Sequence, residues 1–141
     1  MIYCIVEGKT DRVILEKVFK SLDITVKVIT SNGFPSLPAV ARTIMSYMNP
    51  NDKVMIVCDY DNFRENSYGK EMLAFLLRGA MSNPSFALFT FDPNIDHLIQ
   101  KTYENKKCKK NVSEIEAMVN SNIDRIKENK TIQKIIEFVK N

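Results

Sequence analysis

Tryptophan is absent from the 141 residues, histidine occurs once (His97), and glycine and proline number only 4 and 5. So little glycine and proline excludes collagen-like and linker-like classes, and 45% hydrophobic residues exclude intrinsic disorder. Cysteine is scarce too. Cys4, Cys58 and Cys108 are odd in number, dispersed and without zinc-like spacing, so neither a disulfide scaffold nor a zinc module is expected. Reduced thiols in a cytoplasmic protein are the expectation. No apolar run approaches the roughly 20 residues of a membrane span. Residues 1–7 lack the basic opening and the length of a signal peptide, and read as a strand that begins at once. Charge of one sign is not in large excess: 20 basic against 17 acidic residues leave +3, compatible with a nucleic-acid partner without requiring one. The length supports one domain.

What is present is an alternation of strand-like and helix-like segments. Residues 2–6 form a short apolar run, and from Asp11 the side chains of Val13, Ile14, Val18, Phe19 and Leu22 recur at helical spacing, with Thr10 as the expected N-cap. A β-branched strand is expected at 25–30, ending at the turn Ser31-Asn32-Gly33, and a helix at 38–48. Residues 53–58 form a strand without polar alternation, as when both faces are covered. A helix follows at 68–81, a strand at 85–91, and a helix over 95–103 with Asp92 as cap and Pro93 in its first turn. The pattern predicts an α/β fold: a Rossmann-like, four-stranded, mainly parallel sheet with helices on both faces. A basic run, Lys106, Lys107, Lys109 and Lys110, then precedes helices at 113–129, opened by a Ser113/Glu116 capping box, and at 131–140. We therefore expect an α/β domain over 1–105, with 106–141 packed on it or extending it. The stripe Ile115, Met118, Val119, Ile123 and Ile126 would serve that packing, a homodimer or a partner protein.

In such sheets ligands bind beyond the carboxyl ends of the strands, where strand order reverses. Glu7, Lys9 and Asp11 follow the first strand, Asn32 and Gly33 the second, Asp59, Tyr60 and Asp61 the third, and Asp92 and Asp96 the fourth. In a 2-1-3-4 order, strand spacing of about 4.8 Å brings Glu7 close to Asp59. Carboxylates that close repel and raise each other's pKa, a conflict that a hard dication such as Mg²⁺ or Mn²⁺ removes.

Val6-Glu7-Gly8-Lys9-Thr10-Asp11 closes a strand and opens a helix, Val57-Cys58-Asp59-Tyr60-Asp61 closes the third strand, and Gly33 sits at a turn after the second. Together these resemble the glutamate motif, the Asp-x-Asp motif and the glycine turn of Toprim domains, over roughly residues 1–100. Residues 91–96 are further similar to the proline-and-acid stretch of the OLD-type nuclease and small stand-alone branches. The resemblance implies a Mg²⁺- or Mn²⁺-dependent protein acting on nucleic-acid phosphodiester bonds, most simply a nuclease. It implies Glu7 as metal ligand or general acid/base, Asp59 and Asp61 as the metal-binding pair, Asp11 and Asp96 as ligands of a second metal, and Lys9 as an auxiliary contact to phosphate. Arg12 and the 106–110 run are candidate backbone contacts to DNA or RNA. The chain departs from the family in carrying Asn62, Phe63 and Arg64 where a third acid or a glycine is common. Its length leads us to expect no breakage-tyrosine domain, zinc module or ATPase. The alternative function is a non-catalytic metal- and nucleic-acid-binding or protein-interaction module. A phospho-receiver is disfavoured, because Glu7 and Asp11 are too far apart to be its paired acids and no fifth strand with a terminal lysine follows.

Overall fold

The long apolar runs in the first and third strand segments can be buried on both faces only from inside a sheet, and that is where they lie. The computed structural model describes residues 1–64, 67–92, 94–99 and 111–141. Along the chain the elements are β1 (Ile2–Val6), α1 (Lys9–Ser21), β2 (Lys27–Thr30), α2 (Leu37–Tyr47), β3 (Lys53–Asp59), α3 (Asp61–Arg64), α4 (Ser67–Ser82), β4 (Phe86–Phe91), α5 (Val112–Glu128) and α6 (Lys130–Lys140), with 3-10 turns at Phe34–Ser36 and Ile95–Leu98. The four strands form one all-parallel sheet in the order β2-β1-β3-β4. Val6 stands opposite both Thr30 and Val57, and Asp59 opposite Phe91.

Alternate residues of a strand point to opposite faces, and each face has its own core. Cys4, Val6, Met55 and Val57 join Ile14, Leu15 and Val18 of α1 and the apolar stripes of α5 and α6. Ile5, Val54, Ile56 and Cys58 pack with Leu37, Ala41 and Ile44 of α2, Phe63 of α3, and Met72 and Leu76 of α4. The fold is thus a Rossmann-like α/β sandwich with helices on both faces. Among the described residues no helix is long and apolar enough to cross a membrane.

The apolar stripe of α5 is used within the chain. Ile115, Val119 and Ile126 are fully buried, with Met118 and Ile123 packed beside them. Each such side chain contributes about 1.5–3 kcal/mol by leaving water. Arg125 of α5 also donates to the Leu98 carbonyl, tying this helix to the 3-10 turn after β4. Residues 100–110, and with them the lysine run, Cys108 and the expected helix beyond 99, lie outside the described residues.

Several local expectations are corrected. The first helix is capped at Gly8, not Thr10. It begins at Lys9, and Asp11 Oδ2 accepts the N–H of the cap residue Gly8 at 3.1 Å, the reciprocal half of a capping box. The second strand begins at Lys27 rather than residue 25, because Asp23 (φ 55°) and the Ile24 N–H to Phe19 carbonyl bond first close the helix end. After β4 there is a 3-10 turn capped at Asn94 rather than an α-helix capped at Asp92. The Ser113 box is replaced by Asn111, whose side chain accepts the Glu114 N–H at 2.9 Å and starts α5 at Val112.

Candidate functional site

From β1 the chain moves to β2 across one face through α1, then returns across the other face through α2 to β3 on the far side of β1. The ends of β1 and β3 therefore flank the switch point of the sheet. Glu7 is the first residue past β1 and Asp59 the last of β3. The Asp59 N–H donates to Glu7 Oε1 at 3.3 Å, so two acids 52 positions apart meet here. Asn62 Nδ2 donates to the same oxygen at 2.6 Å. Asp59 Oδ1 accepts the Ile95 N–H at 2.8 Å, which draws the 3-10 turn carrying Asp96 over the end of β3.

The β2 end supplies the opposite wall. The Ser31 N–H bonds the Val6 carbonyl at 2.8 Å and the Gly33 N–H bonds the Glu7 carbonyl at 3.1 Å. Gly33 has φ 130°, a conformation open to glycine and strained for side-chain-bearing residues, so its place in the turn is a backbone requirement. The result is a cavity of about 370 Å³ lined by Glu7, Lys9, Asp11, Asp59, Asn62 and Asp96, together with Gly8, Thr10, Gly33 and Phe34. Glu7, Asp11, Asp59 and Asp96 are all buried, at 6%, 9%, 6% and 5% exposure, whereas Lys9 is exposed at the rim.

Four buried acids around one cavity leave an electrostatic signature. The Asp59 carboxyl is pushed from its ordinary 3.8 up to about 8, first by burial, then by the Asp11 charge, with smaller contributions from Glu7 and Asp96. The Ile95 N–H opposes the shift and does not cancel it. The buried Cys58 thiol is held well above its ordinary range by burial and by Glu7, Asp59 and Asp11, and burial pushes Cys4 up as well, so both thiols are inert.

The structure brings Glu7, Asp11, Asp59, Asp96 and Lys9 to one cavity; it does not bring Asp61 there. Asp61 opens α3, receives Asn94 Nδ2 at 3.4 Å and is not among the residues that line the cavity. His97 is also outside the cavity and contacts the Asn94 carbonyl. Among the described residues no three His, Cys, Asp or Glu side chains are grouped so as to hold an ion as they stand. Glu7, Asp11 and Asp59 are each turned toward N–H donors instead. Asn62 is a site residue whose role the sequence did not reveal. Its bond to Glu7 depends on α3, a helix of four residues with no periodicity to read.

Asn62 is placed by a close approach of backbone to backbone. A Cβ added to Gly69 in α4 would lie 2.2 Å from the Asn62 carbonyl oxygen and 2.9 Å from Phe63 Cα. Gly69→Ala is therefore expected to destabilise the protein by about 1–3 kcal/mol and to loosen the Asn62–Glu7 bond. Gly8→Ala, whose added methyl meets nothing within 4 Å, is expected to be close to neutral. Urea unfolding of the two variants checks the contrast.

No known family profile matches the chain, and neither a curated protein nor a solved structure matches it.

Proposed function

We propose that this is a Toprim-like, Mg²⁺- or Mn²⁺-dependent protein that acts on nucleic-acid phosphodiester bonds in the manner of a nuclease, in a cytoplasmic setting that suits its buried free thiols. The observation that carries the reading is the meeting of Glu7 and Asp59 at the β1/β3 crevice, with Asp11 and Asp96 lining the same cavity. The donor set fits the ion. Among the described residues it consists of hard carboxylate oxygens, one amide and the Thr10 hydroxyl, without sulfur or imidazole, and a buried carboxyl held protonated up to about pH 8 is one that a dication would ionise. Glu7, Asp59, Asp11 and Asp96 would hold it, with Asp61 joining by giving up its long bond from Asn94. Bound there, the ion would polarise a phosphate oxygen and acidify a water.

The chain's own groups supply the rest. Glu7, once released from Asn62, is placed to accept or return a proton beside the ion. Lys9 at the rim neutralises an incoming phosphate, aided by the amino end of α1. Asn62 sets the direction of the Glu7 carboxylate until substrate arrives. A second reading, a binding module without cleavage, is favoured by the position of Asp61 outside the cavity and by the occupation of Glu7 Oε1 by two donors.

Labelled single-stranded and duplex DNA and RNA, incubated with the protein in Mg²⁺ or Mn²⁺, separate the two. Cleavage of at least one substrate is expected, falling about 10²–10⁴-fold in Glu7→Gln. Binding without cleavage in either metal would leave the module reading.

A further inference from the structure

On the face opposite α1, α5 and α6, the helices α2 and α4 leave a groove between them. It encloses about 400 Å³, and its floor and walls are Pro38, Ala41, Met45, Leu76, Gly79 and Phe86. Phe75 stands on its edge with 43% of its surface exposed, an uncommon position for a phenylalanine. Arg42 on the α2 wall reaches across, its guanidinium carbon 5.7 Å from the Phe75 ring centre, and Arg78 lines the α4 wall. Both arginines are exposed. Among the described residues neither has an acidic partner. Glu71, two turns before Arg78 in α4, does not line the groove.

We propose that this groove is a docking site for an amphipathic helical segment of a partner protein, apolar on the face it inserts and acidic along its flanks. The apolar floor calls for aliphatic or aromatic anchors at helical spacing. An arginine on each wall calls for a carboxylate on each side of that inserted face, since guanidinium forks pair carboxylates in bidentate fashion. A nucleic-acid backbone could meet the two arginines but would leave the apolar floor between them without a partner. Gly79 gives the third indication. A glycine within a helix lowers its stability relative to alanine, yet among the described residues a Cβ here would meet Phe86 Cε1 at an ordinary 3.8 Å, a contact that does not demand glycine. What its missing side chain provides is a stretch of bare backbone on the groove wall, which a docked helix can approach closely.

The test uses a fluorescein-labelled 18-residue peptide with Leu and Phe on one helical face and Glu along both flanks, beside its counterpart with Lys in place of Glu. The Glu peptide is expected to bind. Its affinity should fall at least about tenfold in the Arg42→Glu/Arg78→Glu double variant, and likewise in Gly79→Leu, which fills the groove. Circular dichroism and the melting temperature of both variants should match the parent, which reports that they are folded and keeps this test separate from the metal reading. Equal binding of the Glu and Lys peptides would overturn the proposal, as would failure of both to bind or indifference of the Glu peptide to the variants. A dimer of the protein alone, lost in Gly79→Leu, would assign the groove to a second copy and overturn it too, as would displacement of the Glu peptide by single-stranded DNA.

Discussion

Asp59→Asn is expected to make the metal-free protein more stable. Holding the Asp59 carboxyl near 8 instead of its ordinary 3.8 corresponds to on the order of 5 kcal/mol of disfavoured ionisation. The sign follows from proton counting. Between about pH 4 and pH 8 the folded protein keeps a proton that the unfolded chain has shed, so unfolding becomes easier as pH rises through that window and levels off above it. Asparagine carries no charge at any pH, and its amide oxygen can still accept the Ile95 N–H that Asp59 accepts now. The variant should melt at least about 5 °C higher than the parent at pH 9, the two should converge toward pH 4, and added Mg²⁺ should stabilise only the parent. Calorimetric melts across that range check it. A variant less stable than the parent at pH 9 would mean that Asp59 is an ordinary solvated acid, and the strain assigned to the site would be gone.

Dication uptake should depend steeply on acidity. A ligand carboxyl that titrates near 8 must lose its proton before it can coordinate, so apparent Mn²⁺ affinity should climb about tenfold per pH unit up to pH 8 and flatten beyond. Below that point close to one proton should be released per ion bound, visible as a buffer-dependent heat. Glu7→Gln should weaken uptake at every pH by removing a donor, while a distant surface change such as Lys20→Gln should leave it alone. An affinity that stays flat from pH 6 to pH 9 would contradict the assignment of Asp59 as the ligand that titrates.

Much of the framework was legible because it rests on period and order. Uninterrupted apolar runs at 2–6 and 53–58 can sit only inside a two-sided sheet, and single helices between parallel strands leave few topologies; the common 2-1-3-4 order, taken as a condition, is the one the sheet adopts, and it brings Glu7 to Asp59. The cap at Gly8 was misread because glycine has no side chain to signal a cap, while Asp11, the acid that bonds its N–H, reads as an ordinary first-turn residue. Asp61 is a different case. β3 stops at Asp59 and α3 begins at Asp61, so the alternation of an extended chain does not relate the two acids. The Asn62–Glu7 bond and the Gly69 contact that positions it depend on how α3 and α4 stack, which no local pattern encodes. The stripe on α5, compatible with either a partner or the chain's own core, needed the packed structure to decide.

The most direct trial of the central claim is a crystal soaked in Mn²⁺ and measured for anomalous scattering. The account predicts density in the crevice within coordinating reach of both Glu7 and Asp59, with Asn62 detached from Glu7. A map with no such peak, and Glu7 still bonded to Asn62 at saturating Mn²⁺ above pH 8, would contradict it.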